Sequence, residues 1–407
     1  MAFEINNITG KEILDSRGNP TLEVTVTAGG ESGSFQVPSG ASTGAHEAHE
    51  LRDDATSHGG MARALMELDS VIMPALIGAD VSKQKEIDEM LLKLDNTPNK
   101  SVLGGNTMLG VSIACAKVAA KLEKKEVYEY LRTLATIEES QKIPYLYANL
   151  INGGKHAHNG LAFQEYHVIP QGETFAESLS ILNAVQKELG VLVTETFGKN
   201  ISLGDEGGFD IPSTLIEEPL QLLQEASVKA GYQNKVRFAL DVAADSFYNE
   251  ASKTYRVDGN DITEEDLLVR YGELIATYNL LSIEDPFHEE AFDAFRMLKE
   301  AHPNVIIVGD DLTVTNVKRL EMAIEKKSIS ALIIKPNQIG TLTETLATMA
   351  LARNNGVQCI VSHRSGETMD DFIADLTVAF SCFGIKAGAR GPKEREAKYS
   401  RLQKILS

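Results

Sequence analysis

Along the C-terminal two thirds of the chain, short apolar runs recur, and each ends on an ionisable side chain. Residues 331–334 read as a buried strand ending on Lys335, and Pro336 stops the strand at once. A helix-like stretch, TLTETLATMALAR, follows. The run 238–240 ends on Asp241, 280–283 on Glu284 and 305–309 on Asp310 and Asp311. The run 359–362 ends on His363 and Arg364, and 383–385 on Lys386. These ends are spaced about 23–28 residues apart, once about 43, which suits one strand plus one helix per step. The pattern predicts a (β/α) barrel whose C-terminal strand ends bring three carboxylates, two lysines, a histidine and an arginine into one cup.

The first third is patterned differently. Residues 3–37 read as strands: Leu22, Val24 and Val26 alternate with polar residues, and AGGESG makes a turn. PSGASTG at 38–44 breaks the pattern, being small, polar and flexible, and a helix is expected to start near Glu47. From there to about 133 the chain reads as helical. Strands followed by helices indicate an α+β unit outside the barrel. The polar stretch 134–143 reads as a linker, which divides the chain into a capping domain, 1–133, carrying an active-site lid, and a barrel domain, 134–407.

Two strands are expected between the linker and the first repeat. The connection there looks too short for a βαβ step, which implies one irregular antiparallel strand. Glu165 and Glu206 are expected to enter the cup from these irregular strands, opposite Lys335. The fold class is therefore α/β, an α+β cap followed by a (β/α)8-type barrel with an antiparallel second strand.

Composition narrows the partners. The 407 residues suggest two domains, and 43% hydrophobic content supplies an ample core. A formal charge of −19 argues against a broad nucleic-acid footprint and against binding an anionic membrane. The 3 cysteines, Cys115, Cys359 and Cys382, have no metal-site or redox spacing and fit a reducing compartment. No signal peptide and no apolar run of about 20 residues are visible.

Three carboxylates crowded at adjacent strand ends repel each other, and without a counter-charge their pKa values rise. A hard divalent cation removes the conflict, and all-oxygen ligands select Mg²⁺ or Mn²⁺. Taken singly, Asp241, Glu284 or Asp310 could equally cap a helix or pair with a lysine. Beside such a cation and Lys386, the Lys335 ammonium is disfavoured, and its pKa is expected to fall toward neutrality, as a general base requires. One of Glu165 and Glu206, kept protonated, would serve as a general acid on a leaving hydroxyl. Arg364 and Ser365 would suit a phosphate. No nucleotide-binding loop is present.

The residues also carry a resemblance. The ordered motifs are DSRGNPTLEV at 15–24, PSGASTG at 38–44, NGGKHA at 152–157, QEY at 164–166 and GDEGG at 204–208. They continue with ALDVAA at 239–244, SIEDPF at 282–287, GDDLTVTN at 309–316, KPNQIGT at 335–341, SHRSGET at 362–368 and IKAGA at 385–389. Along essentially its whole length the chain resembles the enolase (phosphopyruvate hydratase) family. Three places depart from the family pattern: 245–246, 369–371 and 390–393.

The resemblance implies reversible dehydration of 2-phosphoglycerate to phosphoenolpyruvate in glycolysis and gluconeogenesis, with two Mg²⁺ per site. Lys335 would take the C2 proton, and Glu206, assisted by Glu165, would protonate the leaving hydroxyl. Asp241, Glu284 and Asp310 would hold the first Mg²⁺, and Ser42 the second. Lys386 would bind the substrate carboxylate, Arg364 and Ser365 the phosphate. His156 and His363 would close over the substrate, and Gln164 would support it. Family members are cytoplasmic homodimers, some octameric, and some have a secondary cell-surface pool. The alternatives are another superfamily lyase acting on a different carboxylate, or a non-catalytic scaffold on the same fold.

Overall fold

The computed structural model describes residues 3–40, 44–54, 56, 58–137 and 143–407. Three antiparallel strands open it, β1 (Ile5–Leu14), β2 (Pro20–Ala28) and β3 (Glu31–Gln36), in the order β1-β2-β3. The alternation in β2 buries Leu22, Val24 and Val26 on one face. Helix Gly105–Leu122 packs there and is apolar nearly all round, with Met108, Val111, Cys115 and Val118 all buried. Close approach depends on glycine: a Cβ at Gly33 would meet Val118 N at 2.5 Å and Ala114 O at 2.6 Å.

The expected helix near Glu47 does not form, and the first helix among the described residues is Ala62–Glu67. The Glu47 carboxylate accepts the Gly44 N–H at 3.1 Å and pairs with Arg364, so this segment is shaped by contacts to the barrel instead of by its own propensity.

The second region is a closed eight-stranded barrel. Its first strands are β4 (Tyr145–Asn152), β5 (Glu165–Pro170) and β6 (Val236–Asp241). A small peripheral sheet follows, β7 (Tyr248–Asn249), β8 (Thr254–Val257) and β9 (Asn260–Ile262). The barrel resumes with β10 (Leu280–Glu284), β11 (Ile306–Gly309), β12 (Ala331–Ile334), β13 (Gln358–Ser362) and β14 (Gly384–Lys386). It closes in the order β10-β11-β12-β13-β14-β4-β5-β6. Strand β5 runs antiparallel to both neighbours, as the short connection before it predicts. Tyr147, Ile169, Leu281, Val308, Ile333 and Ile360 fill the interior.

One placement is corrected. Glu165 opens β5, but GDEGG is a loop, held by bridges of Phe209 to Ile151 and to Leu203. Three glycines and two acids in that stretch cannot sustain a strand. Among the described residues, no helix is long and apolar enough to cross a membrane.

Candidate active site

Strand register builds one wall of the cup. Glu165 pairs with Asp241 across the β5–β6 ladder, and Asp241 with Glu284 across β6–β10. Three carboxylates therefore stand side by side on adjacent strands. Asp310 follows β11 directly. Its orientation is set by Asp285, a buried residue at φ 41°, whose carboxylate accepts the N–H groups of Asp310 at 2.8 Å and Asp311 at 2.7 Å.

Two lysines reach into this wall. Lys386, at the end of β14, donates to Asp241 at 3.0 Å and to both Glu284 oxygens at 2.9 and 3.0 Å, and lies 3.2 Å from Glu165. Lys335, which follows β12, donates to one Asp310 oxygen. Gln338 donates to the other at 2.9 Å and is itself fixed by the Thr315 hydroxyl at 2.8 Å.

The facing wall carries Glu206. Asn149 on β4 donates to it at 3.0 Å, and His363 Nε2 lies 3.3 Å away. His156 Nδ1 lies between the two glutamates, 3.4 Å from Glu206 and 3.7 Å from Glu165. His167, two residues along β5 on the same face, meets Glu165 at 2.7 Å.

Charge behaves differently on the two walls. Burial, then repulsion from Asp241, pushes Glu284 well above the usual carboxylate range. Asp241 is raised by burial despite Lys386. Asp310 is also buried, but Lys335 and the Gln338 amide bring it below its ordinary value. Across the cup, burial of Glu206 is overcome by His363, His156 and Arg395, and its carboxyl falls well below the usual range. Glu165 falls too, against burial and Glu206, because Lys386 and His167 face it. The expectation that one of these glutamates is kept protonated is therefore corrected: donors and cations surround both. The expected fall of Lys335 toward neutrality is one beside a bound cation; among the chain's own groups Asp310 is its partner. Burial acts against its charge, but Asp310 outweighs burial and the net shift is upward.

His156, Gln164, Glu165, Glu206, Asp241, Asp310, Lys335, His363, Arg364, Ser365 and Lys386 line one narrow cavity of about 30 Å³. It is narrow because the lysines reach in among the carboxylates. A wider cavity of about 730 Å³ adjoins it, and Arg364 lines both. Glu47 lines the wider one and holds the Arg364 guanidinium at 2.9 and 3.2 Å, as an anion would. Ser42 lies outside the described residues.

The donor set fits a hard divalent cation. Asp241 and Glu284 already converge on one positive atom, and the Gln164 carbonyl oxygen beside Asp241 is buried without a partner. The three expected ligands do not close into a cluster with all ligand atoms within 4.8 Å, whereas Asp285, Asp310 and Asp311 do. His156, Glu165 and Glu206 are equally close, but Asn149, His167 and Lys386 engage those carboxylates.

The sequence pattern missed Glu47, Asn149, His167, Asp285, Gln338 and Arg395. His167 had a signal, the period of two from Glu165. Arg395 had none, since it lies far from every strand end.

Comparison with known proteins identifies the family. A family profile described as "Enolase, N-terminal domain" matches residues 5–131, and one described as "Enolase, C-terminal TIM barrel domain" matches 140–407. The chain is 48% identical over 408 residues to a protein named enolase from Methanocaldococcus jannaschii, covering 99% of this chain and 95% of that one. Enolases of Pyrococcus furiosus and Thermococcus kodakarensis are 46% and 45% identical over 410 residues, each covering 99% of this chain and 94% of the relative. The chain belongs to the enolase family, and its enzyme class is that of the family, a lyase acting as phosphopyruvate hydratase.

Proposed function

We propose that this chain reversibly dehydrates 2-phosphoglycerate to phosphoenolpyruvate through an enolate, in glycolysis and gluconeogenesis. Lys335 takes the C2 proton. Glu206 delivers a proton to the leaving C3 hydroxyl, with Glu165 assisting. Lys386 binds the substrate carboxylate, Arg364 and Ser365 the phosphate, and His156, His363 and Gln164 enclose the substrate. Asp241, Glu284 and Asp310 would hold one Mg²⁺, and Ser42 a second. Bound Mg²⁺ would supply the positive charge that the carboxylates otherwise draw from the lysines, and would stabilise negative charge on the substrate. Glu206, whose carboxyl is lowered in the free site, would gain its proton as an anionic substrate arrives, since a nearby anion raises a carboxyl pKa. We also propose the division near 134 into cap and barrel, and a cytoplasmic homodimer that requires no nucleic acid.

The observation supporting this reading is the cavity that Lys335 and Glu206 line together with Glu165, Asp241 and Asp310. The test is ultraviolet absorbance of phosphoenolpyruvate formed from 2-phosphoglycerate with Mg²⁺, repeated with excess chelator. Formation that the chelator abolishes is expected. No formation by folded, metal-loaded protein would overturn the reading in favour of a scaffold role.

A further inference from the structure

Arg395 sits on the helix Lys393–Leu406, near the C-terminus. It is completely buried, at 0% exposure. Among the described residues its side chain donates to His363 Nδ1 at 2.6 Å and to the carbonyls of Arg364 at 2.7 Å, Ser365 at 2.8 Å and Asp205 at 3.1 Å. No carboxylate directly pairs with it there. Burying a guanidinium on neutral acceptors is expensive, so the position calls for a reason beyond stability.

A guanidinium only donates. The imidazole nitrogen that meets it must present a lone pair, so the ring proton of His363 sits on Nε2. That nitrogen faces Glu206 at 3.3 Å. We infer that Arg395 is a positioning residue for the Glu206–His363 pair: it holds His363 as the neutral Nε2–H form aimed at Glu206. The same guanidinium ties the Glu206 loop and the segment after β13 to the C-terminal helix.

An independent feature supports this convergence. Gly388 has φ +76°, and a Cβ there would meet Glu206 O at 2.8 Å, Arg395 Cδ at 3.1 Å and His363 Cε1 at 3.1 Å. The Ala389 N–H donates to the Glu206 carbonyl at 3.0 Å, and the Tyr399 hydroxyl to the Gly388 carbonyl at 2.7 Å. Segment 388–399, which includes the departure from the family pattern at 390–393, is thus a clamp on the Glu206 loop.

The charged groups around His363 act in two directions. Burial and Arg395 oppose a second proton on the ring, while Glu206 and Glu165 favour one, and the net shift is downward. His156 faces Glu206 from its other side, and the backbone N–H of His363 donates to Lys386 O at 3.0 Å.

The catalytic consequence rests on Glu206 being the acid of the proposed reaction, but the state of the ring does not. The first test is nitrogen NMR of histidine-labelled protein, with the His363 signals assigned through His363→Gln. An unprotonated Nδ1 and a protonated Nε2 at neutral pH are expected. An Nδ1–H ring overturns the inference, whether or not the enzyme turns over and whether or not any Arg395 variant folds. In folded Arg395→Met, kcat should fall about tenfold to a hundredfold with KM nearly constant, and the acid limb of the kcat profile should move to higher pH. Arg395→Lys keeps a charge and should move the limb less. A fall in kcat with the ring state and the limb unmoved would leave Arg395 a structural residue and refute the inference. Absence of turnover in the unaltered protein would instead count against the reaction.

Discussion

Asp241 and Glu284, which crowd with Asp310 around the lysines, and Glu165 and Glu206, which flank His156, are all 2–3% exposed. They nevertheless titrate in opposite directions, the first pair upward and the second downward. Burial cannot explain the difference, because it raises all four. What differs is the ratio of cations and donors to carboxylates. The metal wall crowds Asp241, Glu284 and Asp310 around two lysines, whereas Glu165 and Glu206 are met by three histidines, an asparagine amide and Lys386. The proposed reaction, which must both gather a dication and move a proton, needs this asymmetry. One wall is left short of positive charge, and the other has its charge provided by the chain itself.

The largest expected effect comes from removing the lysine that belongs to the metal wall. Lys335→Ala should lower phosphoenolpyruvate formation about a thousandfold or more, in the range of a lost general base. Magnesium binding, followed by calorimetry, should persist or tighten, because Asp310 loses its competitor. Substantial residual turnover would remove Lys335 as the base. Weakened metal binding would mean that the lysine supports the wall instead of competing for it.

How much of this asymmetry was legible in the chain follows from where each residue sits. The metal wall could be read directly, because a strand end fixes both the position and the direction of Asp241, Glu284, Asp310 and Lys386. The antiparallel β5 was legible from a connection too short to cross over. The facing wall was only half legible. Glu206 lies on a loop whose path depends on Ala389, Pro392 and Arg395 from the far end of the chain. The protonation of Glu165 and Glu206 was misread for the same reason. The sequence shows which ionisable groups converge, but the net shift of Lys335 or Glu206 depends on which partner each one meets. That is set by loops and by the absent helix near Glu47.

A smaller effect should follow from weakening the metal wall at its most exposed ligand. Asp310→Ala should raise the Mg²⁺ concentration needed for half-maximal activity by at least about tenfold, with activity recovered at high Mg²⁺. An unchanged requirement would shift the ligand role toward Asp285 and Asp311, whose carboxylates already cluster with Asp310.

The smallest effect tests the comparison without any turnover. A carboxyl lowered in the fold stabilises the protein above its ordinary pKa, and that stability is lost as pH falls through the lowered value. A carboxyl raised in the fold has the opposite sign: it costs stability as pH rises through its ordinary value, and the cost is complete above the raised one. In chelator-treated protein at neutral pH, Glu206→Gln should therefore lower the melting temperature, and Glu284→Gln should leave it unchanged or raise it. Each change should be about 2–4 °C. The gap should close as pH is lowered toward the acid range, where Glu284 is protonated and Glu206 begins to lose its ionised form. Two variants that melt together at neutral pH would mean that the walls are electrostatically alike. The division of labour between gathering a cation and moving a proton would then have to come from geometry alone.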